Sequence, residues 1–503
     1  MGKATLEMTE LASTRDGVDM AVVGQRQSTP QVASGLIDWD KGLVGWESHT
    51  DPANPLNFPK WSRRLNLIFM GAISTLAPLG SSMVAPAISQ TMKDFDVANQ
   101  VIGSFSVTIW LLGFTLGPLF LGPLSEMFGR YPVMVGASWF MVAWLLGAAL
   151  APSMASLIVM RLFAGIGGSA AMTIAPAVCA DMYPIERRAR STATITMAQC
   201  LGPTLGPLIG SYVGERLGWR WNYWLLLICS GATSFFMTIF FRESYAPVLL
   251  RRKAQRLRKE LGRDDLRPLL SKDISRKEML AQAIMRPTKM LTKSPIVSLI
   301  CLYVAVVYGC LYLWFTTIPM VYEHAYGWSP QDTGLAYIGI GIGMVISLTF
   351  IMKTNDATVV RLTKRNNGVY EPEFRLPAAI YLAGLVPVSL FWYGWSVQRQ
   401  SHWIVPIIGS TFFGFGMLGI FVPTQQYLVD AFQIYSASAV AAVRTAISIA
   451  GTTLPLAGPP LYERLDLGMG NTVLGIITLV LTPIPWLFMR YGKAVREKWP
   501  ISL

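Results

Sequence analysis

Two kinds of residue in this sequence could do chemistry: charges set into or between apolar runs, and glycines and prolines at a fixed helical spacing. The stretch GPLSEMFGRYP at 122–132 places Glu126 four residues before Arg130, with Gly122 and Gly129 beside them, in a short corner between two apolar runs. Glycine lets the chain turn tightly, and a carboxylate at such a corner can meet the guanidinium and the start of a neighbouring helix. The bland alternative is a charged turn that only fixes topology. In LIVMRLFAGIGGSAAM, Arg161 stands in mid-run. A charge there costs at least about 2.5–3.5 kcal/mol on insertion scales, so an intramembrane arginine reads by default as part of a functional site. Its alternative is an arginine that packs helices together by bonding to carbonyls. The stretch CLGPTLGPLIGSY spaces Gly202, Gly206 and Gly210 every fourth residue, with Pro203 and Pro207 between them. Small residues at that spacing let two helices approach closely, and each proline removes a backbone bond and bends the helix; ordinary helix packing would use the same pattern.

Catalysis finds little support. His49, His324 and His402 are scattered, with no HExxH and no nucleophile–base spacing, and no G-x-x-x-x-G-K-[ST] loop occurs. Cys179, Cys200, Cys229, Cys301 and Cys310 lie in or at the edge of apolar runs without metal-ligand spacing, so they are expected to pack rather than form disulfides or hold zinc. Neither an enzyme nor a cofactor or metal is expected.

The elements that must position these residues are set by composition. Of 503 residues, 52% are hydrophobic and 14% charged, and the mean hydropathy is +0.43, against roughly 25% charge in soluble domains. Lipid is the expected solvent. Twelve apolar windows are long enough to cross a bilayer as helices, which takes about 20 residues each: roughly 65–88, 101–123, 132–151, 154–180, 190–213, 222–241, 295–320, 333–353, 376–395, 403–427, 438–460 and 470–490. An even number leaves both ends on one side. Most of the 42 Lys and Arg fall in the tails and in alternate loops on that side, which places both termini in the cytosol. The net charge of +13 is concentrated in the loop that begins RESYAPVLLRRKAQRLRKELGR. Anionic inner-leaflet headgroups account for it, and nucleic acid is not called for. Residues 1–60 are polar, with no apolar core of a cleavable signal, so the first window is expected to target the chain. The expected boundaries are a disordered cytosolic tail over 1–60, an N-terminal six-helix bundle over 61–241, a basic cytosolic loop over 242–294, a C-terminal bundle over 295–491 and a cytosolic tail over 492–503.

This division of six spans, a basic loop and six more resembles the major facilitator superfamily. Three motifs carry the resemblance. The corner is similar to the superfamily loop G-x-L-x-D-x-x-G-R-[RK] at Gly122, Leu124, Gly129 and Arg130, with Glu126 in the acidic slot and Met127 and Tyr131 where basic residues are common. Arg161, Gly165, Gly167 and Gly168 match R-x-x-x-G-x-G-x, and the Gly-Pro window resembles a motif found in proton-driven antiporters and largely missing from symporters. WRWNYW at 219–224, GWSPQDTGLAYIGIGIG at 327–343, PEFRLPAA at 372–379 and the stretch 427–458 are similar to the fungal twelve-spanner drug:proton antiporters. The resemblance implies an all-α integral membrane protein of two six-helix bundles that rock about a central site. It also implies a monomer that exports drugs or toxic metabolites from the cell across the plasma membrane in exchange for protons. A proton-coupled importer of a polyamine, vitamin or organic acid is the second reading. The resemblance further implies that the corner's carboxylate helps lock the outward-facing state at the start of the eleventh window, where Ser436 or Ser438 can cap.

The first window holds no Asp or Glu, so the proton must be carried elsewhere. Asp181, in PAVCADMYP, follows Arg161 by twenty residues, a spacing that resembles the Arg and Asp pair of the fungal branch. At about 1.5 Å per residue the two stand some 30 Å apart and cannot pair directly. A carboxylate at the edge of a dehydrating cavity exchanges protons as water enters and leaves; bonding to Arg187 and Arg188 is the structural alternative, and Asp430 the runner-up. For substrate, Tyr308 and Tyr312 share a helix face in the aromatic seventh window, and Trp110 and Tyr427 add polar-tipped rings suited to flat organic molecules or cations. Packing is the commoner use of such rings, and Phe412, Phe413 and Phe415 read that way.

Overall fold

Lipid offers backbone groups no hydrogen-bond partner, so each apolar run must satisfy its own as a helix. The computed structural model describes residues 36–270 and 276–499, and helices account for every apolar window. Spans 1 to 6 are Lys60–Ser82, Gln100–Phe128, Arg130–Ala149, Met154–Met182, Ile185–Leu217 and Arg220–Phe240. Spans 7 and 8 are Pro295–Tyr326 and Ile338–Arg365; span 9 is divided into Pro377–Ala383 and Leu385–Gln398, and span 10 is Ile404–Ala431. Span 11 begins with Ser436–Thr453 and span 12 ends in Gly458–Leu481 and Ile484–Lys498.

Among the described residues, ten stretches are long and apolar enough to cross a membrane by length and hydropathy, and two local features bring the count to the twelve expected. Ser436–Lys498 runs for 63 residues, about three times what a bilayer core needs. It contains a break at Asp466, whose φ of 57° lies outside the helical region. Tyr462 Oη and Asn471 Oδ1 meet at 3.3 Å across that break, whereas nine residues of straight helix would separate their backbones by about 13 Å. The chain has doubled back, and the stretch holds two crossings. Span 5 is the other case: at 33 residues it is long enough, but its glycines, prolines, serines and threonines dilute the apolar character. It is held by span 1 instead.

Spans 1–6 and 7–12 form the two halves. Within each, paired spans pack through glycines at equivalent places: a side chain at Gly113 of span 2 would lie 2.6 Å from the Gly165 backbone of span 4, and one at Gly343 of span 8 would lie 2.8 Å from Phe415 N of span 10. The internal repeat that residue identities hide is thus visible in packing. Both ends of the described chain lie on one face, here called the near face. There, Leu43–Val44 pairs in parallel with Arg267–Pro268 of the basic loop, and Val44, Ala254 and Leu266 form a small core between them. The loop carries helices Ala246–Leu261 and Arg276–Lys293. Residues 36–59 therefore have defined structure within the stretch expected to be a disordered tail; residues 1–35 of that stretch lie outside the described residues.

Candidate functional site

The near-face corner is built by the start of span 3, the end of span 4 and the segment after span 6. Gly129, with φ of 111°, ends span 2 and starts span 3, a conformation that glycine adopts without strain. Span 3 then exposes its first N–H groups, which no intrahelical carbonyl can satisfy. Glu243 meets them. Its buried carboxylate accepts from Arg130 N at 2.9 Å, Tyr131 N at 3.2 Å, Ser244 N at 3.0 Å and Tyr245 N at 2.9 Å. The acid at this helix start is Glu243, which is not among the candidates read from the sequence, and its capping of span 3 is a separate contact from the one expected of Glu126 at span 11. The available signal was an acid inside RESYAP directly after an apolar window.

Arg130 pairs with Asp181. Its Nε stands 3.2 Å from Asp181 Oδ2, its Nη1 donates to Ser125 Oγ at 2.6 Å, and its guanidinium lies 4.5 Å from the Tyr245 ring. Asp181 further accepts from Ser244 Oγ at 3.4 Å. Among the described residues Asp181 pairs with Arg130 and not with Arg187 or Arg188, and Arg188 Nε donates to Tyr183 O. Beside this cluster, outside the spans, burial raises the Tyr245 hydroxyl to about 12, with the charges of Glu126 and Asp181 adding and those of Arg130 and Arg251 opposing. The C-terminal half repeats the device. Arg375, at the start of span 9, sits 3.0 Å from Asp430 at the end of span 10 and 2.7 Å from Asp356, and Tyr370 also donates to Asp430. Asp430, the runner-up to Asp181, is thus its geometrical counterpart. Arg375 in PEFRLPAA went unremarked as a site residue, although its place in the repeat matches that of Arg130.

Deeper in, Arg161 is fully buried. Its Nη2 donates to Val107 O at 2.9 Å and Ser81 O at 3.3 Å, its Nη1 to Tyr223 Oη at 3.1 Å, and Trp110 lies 5.4 Å from its guanidinium. These are the carbonyl contacts of a packing arginine, tying spans 1, 2, 4 and 6. Trp110 is itself buried, packed where a side chain at Gly80 would come within 2.9 Å of it. Tyr427 stands apart as well: it is buried at the near end of span 10, where its hydroxyl and Glu373, which pairs with Arg496 at 2.7 Å, flank Gly492. Among the described residues neither ring stacks on the tyrosines of span 7, and each is buried beside a glycine of another span.

The Gly-Pro helix behaves as its spacing predicts. Side chains at Gly202 and Gly206 would lie 2.6 Å from Thr75 O and 3.1 Å from Leu79 O, and one at Gly210 would enter the Met83 backbone. Three glycines in line therefore lay span 5 on span 1. Pro207 has no N–H for Pro203 O, and Ser82 Oγ of span 1 lies 3.5 Å from that freed carbonyl. The other face of span 5 meets the second half, where Thr204 lies against Gly341 and Pro207 O lies 3.0 Å from a side chain placed at Gly334.

Between the halves, Tyr308 and Tyr312 stack with centroids 5.9 Å apart, and Tyr308 lies 6.3 Å from Phe421 of span 10. Tyr312 is buried and meets Ser81 Oγ of span 1 at 3.0 Å; Tyr308 is half-buried. Further toward the far face, Thr108 and Thr452 exchange hydroxyl-to-carbonyl bonds of 3.2 and 3.3 Å between spans 2 and 11. Phe413 packs on Trp314 at 4.7 Å, as expected of a core ring. One charged residue at this level escaped notice: Arg444 of span 11, half-buried, with its guanidinium 5.2 Å from the Phe421 ring. Its signal was the one that drew attention to Arg161, a basic residue within an apolar run.

Comparison with known proteins agrees with this architecture. A model of the Major Facilitator Superfamily matches residues 70–455. The chain is 46% identical over 456 residues to the MFS transporter cpaT of Aspergillus oryzae, covering 90% of this chain and 91% of that protein. It is 44% identical over 457 residues to the MFS-type transporter penM of Penicillium rubens, covering 91% and 90%. Among solved structures, the partially occluded inward-open xylose transporter XylE from E. coli superposes with a TM-score of 0.60 over 85% of this chain and 98% of its own, at 18% identity, a likeness of fold alone. The twelve crossings, the repeated corners and these relatives together place the chain in the Major Facilitator Superfamily, as a multi-pass membrane transporter akin to the fungal members and not an enzyme.

Proposed function

We propose that this transporter exports amphipathic organic molecules, drugs or toxic metabolites, by exchanging them for protons through alternating access. The observation that carries the reading is the Gly-Pro helix: one face is seated on span 1 and the other on span 8, so bending at Pro203 and Pro207 is coupled to movement of one half on the other. A helix so placed can change access without exposing its own backbone to lipid. The near face is then cytosolic, the membrane is the plasma membrane and the protein works as a monomer, its basic loop lying against anionic headgroups. Asp181 is the proton carrier, held by Arg130 in one state and released to water in the other, while Arg161 fixes the spans through which that change passes. The hydrogen bonds between Ser81 and Tyr312 and between Thr108 and Thr452 close the seam toward the far face, the arrangement of a state that admits cargo from the cytosol.

Flow measurement of a fluorescent amphipathic dye in cells expressing the chain tests the direction. Lower steady-state dye in energised cells than in control cells, reversed by a protonophore, is expected. Dye accumulation driven by the same gradient would establish import and overturn the reading.

A further inference from the structure

We infer that Arg444 is a binding site for the anionic group of the cargo, and that the transported molecules are organic anions carrying a flat apolar body. This rests on the reading of the chain as a transporter with its site between the halves; it adds the charge of what is carried.

A guanidinium within a membrane protein is held by carbonyls, by a carboxylate or by water in a cavity. Arg161 shows the first solution, with carbonyls of spans 1 and 2 around it. Arg130 and Arg375 show the second, with Asp181 and Asp430. Arg444 shows neither. Among the described residues its guanidinium makes no hydrogen bond and no ion pair, and its contact is the face of Phe421. It is half-buried, and so are Tyr308 and Cys200, which lie within electrostatic range of it from spans 7 and 5. Span 5 belongs to one half, and spans 7, 10 and 11 to the other. The group therefore stands between the halves, with part of its surface open to whatever occupies that space.

An uncompensated charge in a low-dielectric place demands a partner, and no Asp or Glu is among the groups acting on it. A cationic cargo would meet repulsion with no carboxylate to offset it. A carboxylate, enolate or phenolate would complete the planar guanidinium, which accepts such groups in a two-pronged geometry. The Tyr308–Tyr312 stack and Phe421 supply faces for an aromatic or polyene body next to that charge. This reverses the preference for cations that the rings alone would give, because the full charge of Arg444 outweighs their quadrupoles.

The test is binding, which needs no gradient and no knowledge of transport direction. Purified full-length protein in lipid nanodiscs is titrated with three probes of one shape: 1-naphthoate, 1-naphthamide and 1-naphthylmethylammonium. Affinity is read from the shift in thermal midpoint. Naphthoate is expected to bind wild type at least about tenfold tighter than the other two, the worth of a charge-assisted hydrogen bond. Arg444→Gln is expected to erase that preference and Arg444→Lys to keep part of it. Equal binding of all three probes, no binding of naphthoate, or retention of the preference in Arg444→Gln overturns the assignment. A second measurement avoids dependence on folding of the variants: phenylglyoxal on wild type, followed by peptide mass spectrometry. Arg444 should be modified and be protected by naphthoate, while sealed Arg161 serves as the unreactive internal control. An unmodified Arg444 would show that no open space reaches it and refute the site. If naphthoate binds as expected but dye export fails, the direction of transport is wrong and the anion site stands.

Discussion

Glu243→Gln is the sharpest test of how the near-face corner is held. The carboxylate is 9% exposed and takes four backbone N–H groups, three on Oε1 and one, from Tyr131, on Oε2 at 3.2 Å. Glutamine keeps the shape. If its carbonyl takes the Oε1 place, its amide nitrogen faces the Tyr131 N–H, donor against donor, and that bond is lost. A hydrogen bond to a charged acceptor contributes about 1.5–3 kcal/mol, and a negative charge at a helix start contributes about 0.3–1 kcal/mol more. The expected loss is therefore about 2–4 kcal/mol. Glu243→Ala should lose more, since it also leaves Arg130 N without its acceptor. Detergent-solubilised protein is heated and the folded fraction followed by size-exclusion chromatography, with Glu260→Gln on the exposed loop helix as a control for the same change of charge. A midpoint for Glu243→Gln equal to that of the control would refute the claim that this carboxylate caps span 3.

Three further outcomes follow from the geometry. Asp181→Asn weakens the pairing with Arg130 at 3.2 Å and removes the proposed proton carrier; pH-driven dye export should fall to background while naphthoate binding persists, and full export would transfer the role to Asp430 or Glu126. Gly206→Leu forces a side chain into a gap of 3.1 Å against Leu79 O; overpacking of this kind costs about 1–3 kcal/mol or more, and export should be abolished in protein that still inserts, so normal export would remove the role given to span 5. Burial works against the charge of Asp51, but N–H donation from Glu47 at 3.0 Å and Ala53 at 2.8 Å and the Lys253 ammonium outweigh it and hold its carboxyl below the ordinary value. A lowered folded value gives stability that is full above the ordinary carboxylate range and is lost as pH falls through the folded value; residues 36–59 should become more open to an acid-active protease as the pH drops through that window, and cleavage independent of pH would count against the contact.

How much of this could be read from the residues depends on the range of the interaction. Window length and apolarity act locally, so all twelve crossings were legible, including span 5, whose Gly and Pro content lowers its hydropathy without shortening it. The spacing of Gly202, Gly206 and Gly210 was legible for the same reason, since one helix face is defined by its own sequence. The partners of charges were not. Arg130 lies four residues from Glu126 and fifty-one from Asp181, yet the positive φ of Gly129 turns span 3 so that its first side chain meets the end of span 4. Glu243 reaches the same corner from beyond span 6. Such pairings are set by how helices lean on one another, and motif spacing along one segment does not contain that information. The candidate rings divide likewise: Tyr308 and Tyr312 share a face of one helix, whereas the surroundings of Trp110 and Tyr427 are set by glycines in other spans.

The arginines show why residue type alone could not assign roles in so apolar a chain. Arg161 uses its two terminal nitrogens on carbonyls of spans 1 and 2 and on the Tyr223 hydroxyl, and its Nε is buried without a partner among the described residues, so its charge stabilises one arrangement of spans 1, 2, 4 and 6. Arg130 is matched with Asp181, and Arg375 with Asp430 and Asp356, at a partly buried edge where protonation or hydration of the acid can release the pair. A pair of that kind is suited to switching, because its strength depends on whether water is present. Among the described residues Arg444 has an aromatic face and no oxygen acceptor. Of these arginines it is the one whose electrostatic need is unmet by the protein, and an unmet need at the seam between two moving halves is what a cargo can satisfy in one state and leave in the next. The same physical criterion, the presence or absence of an internal acceptor, therefore sorts these residues into scaffold, switch and binding site.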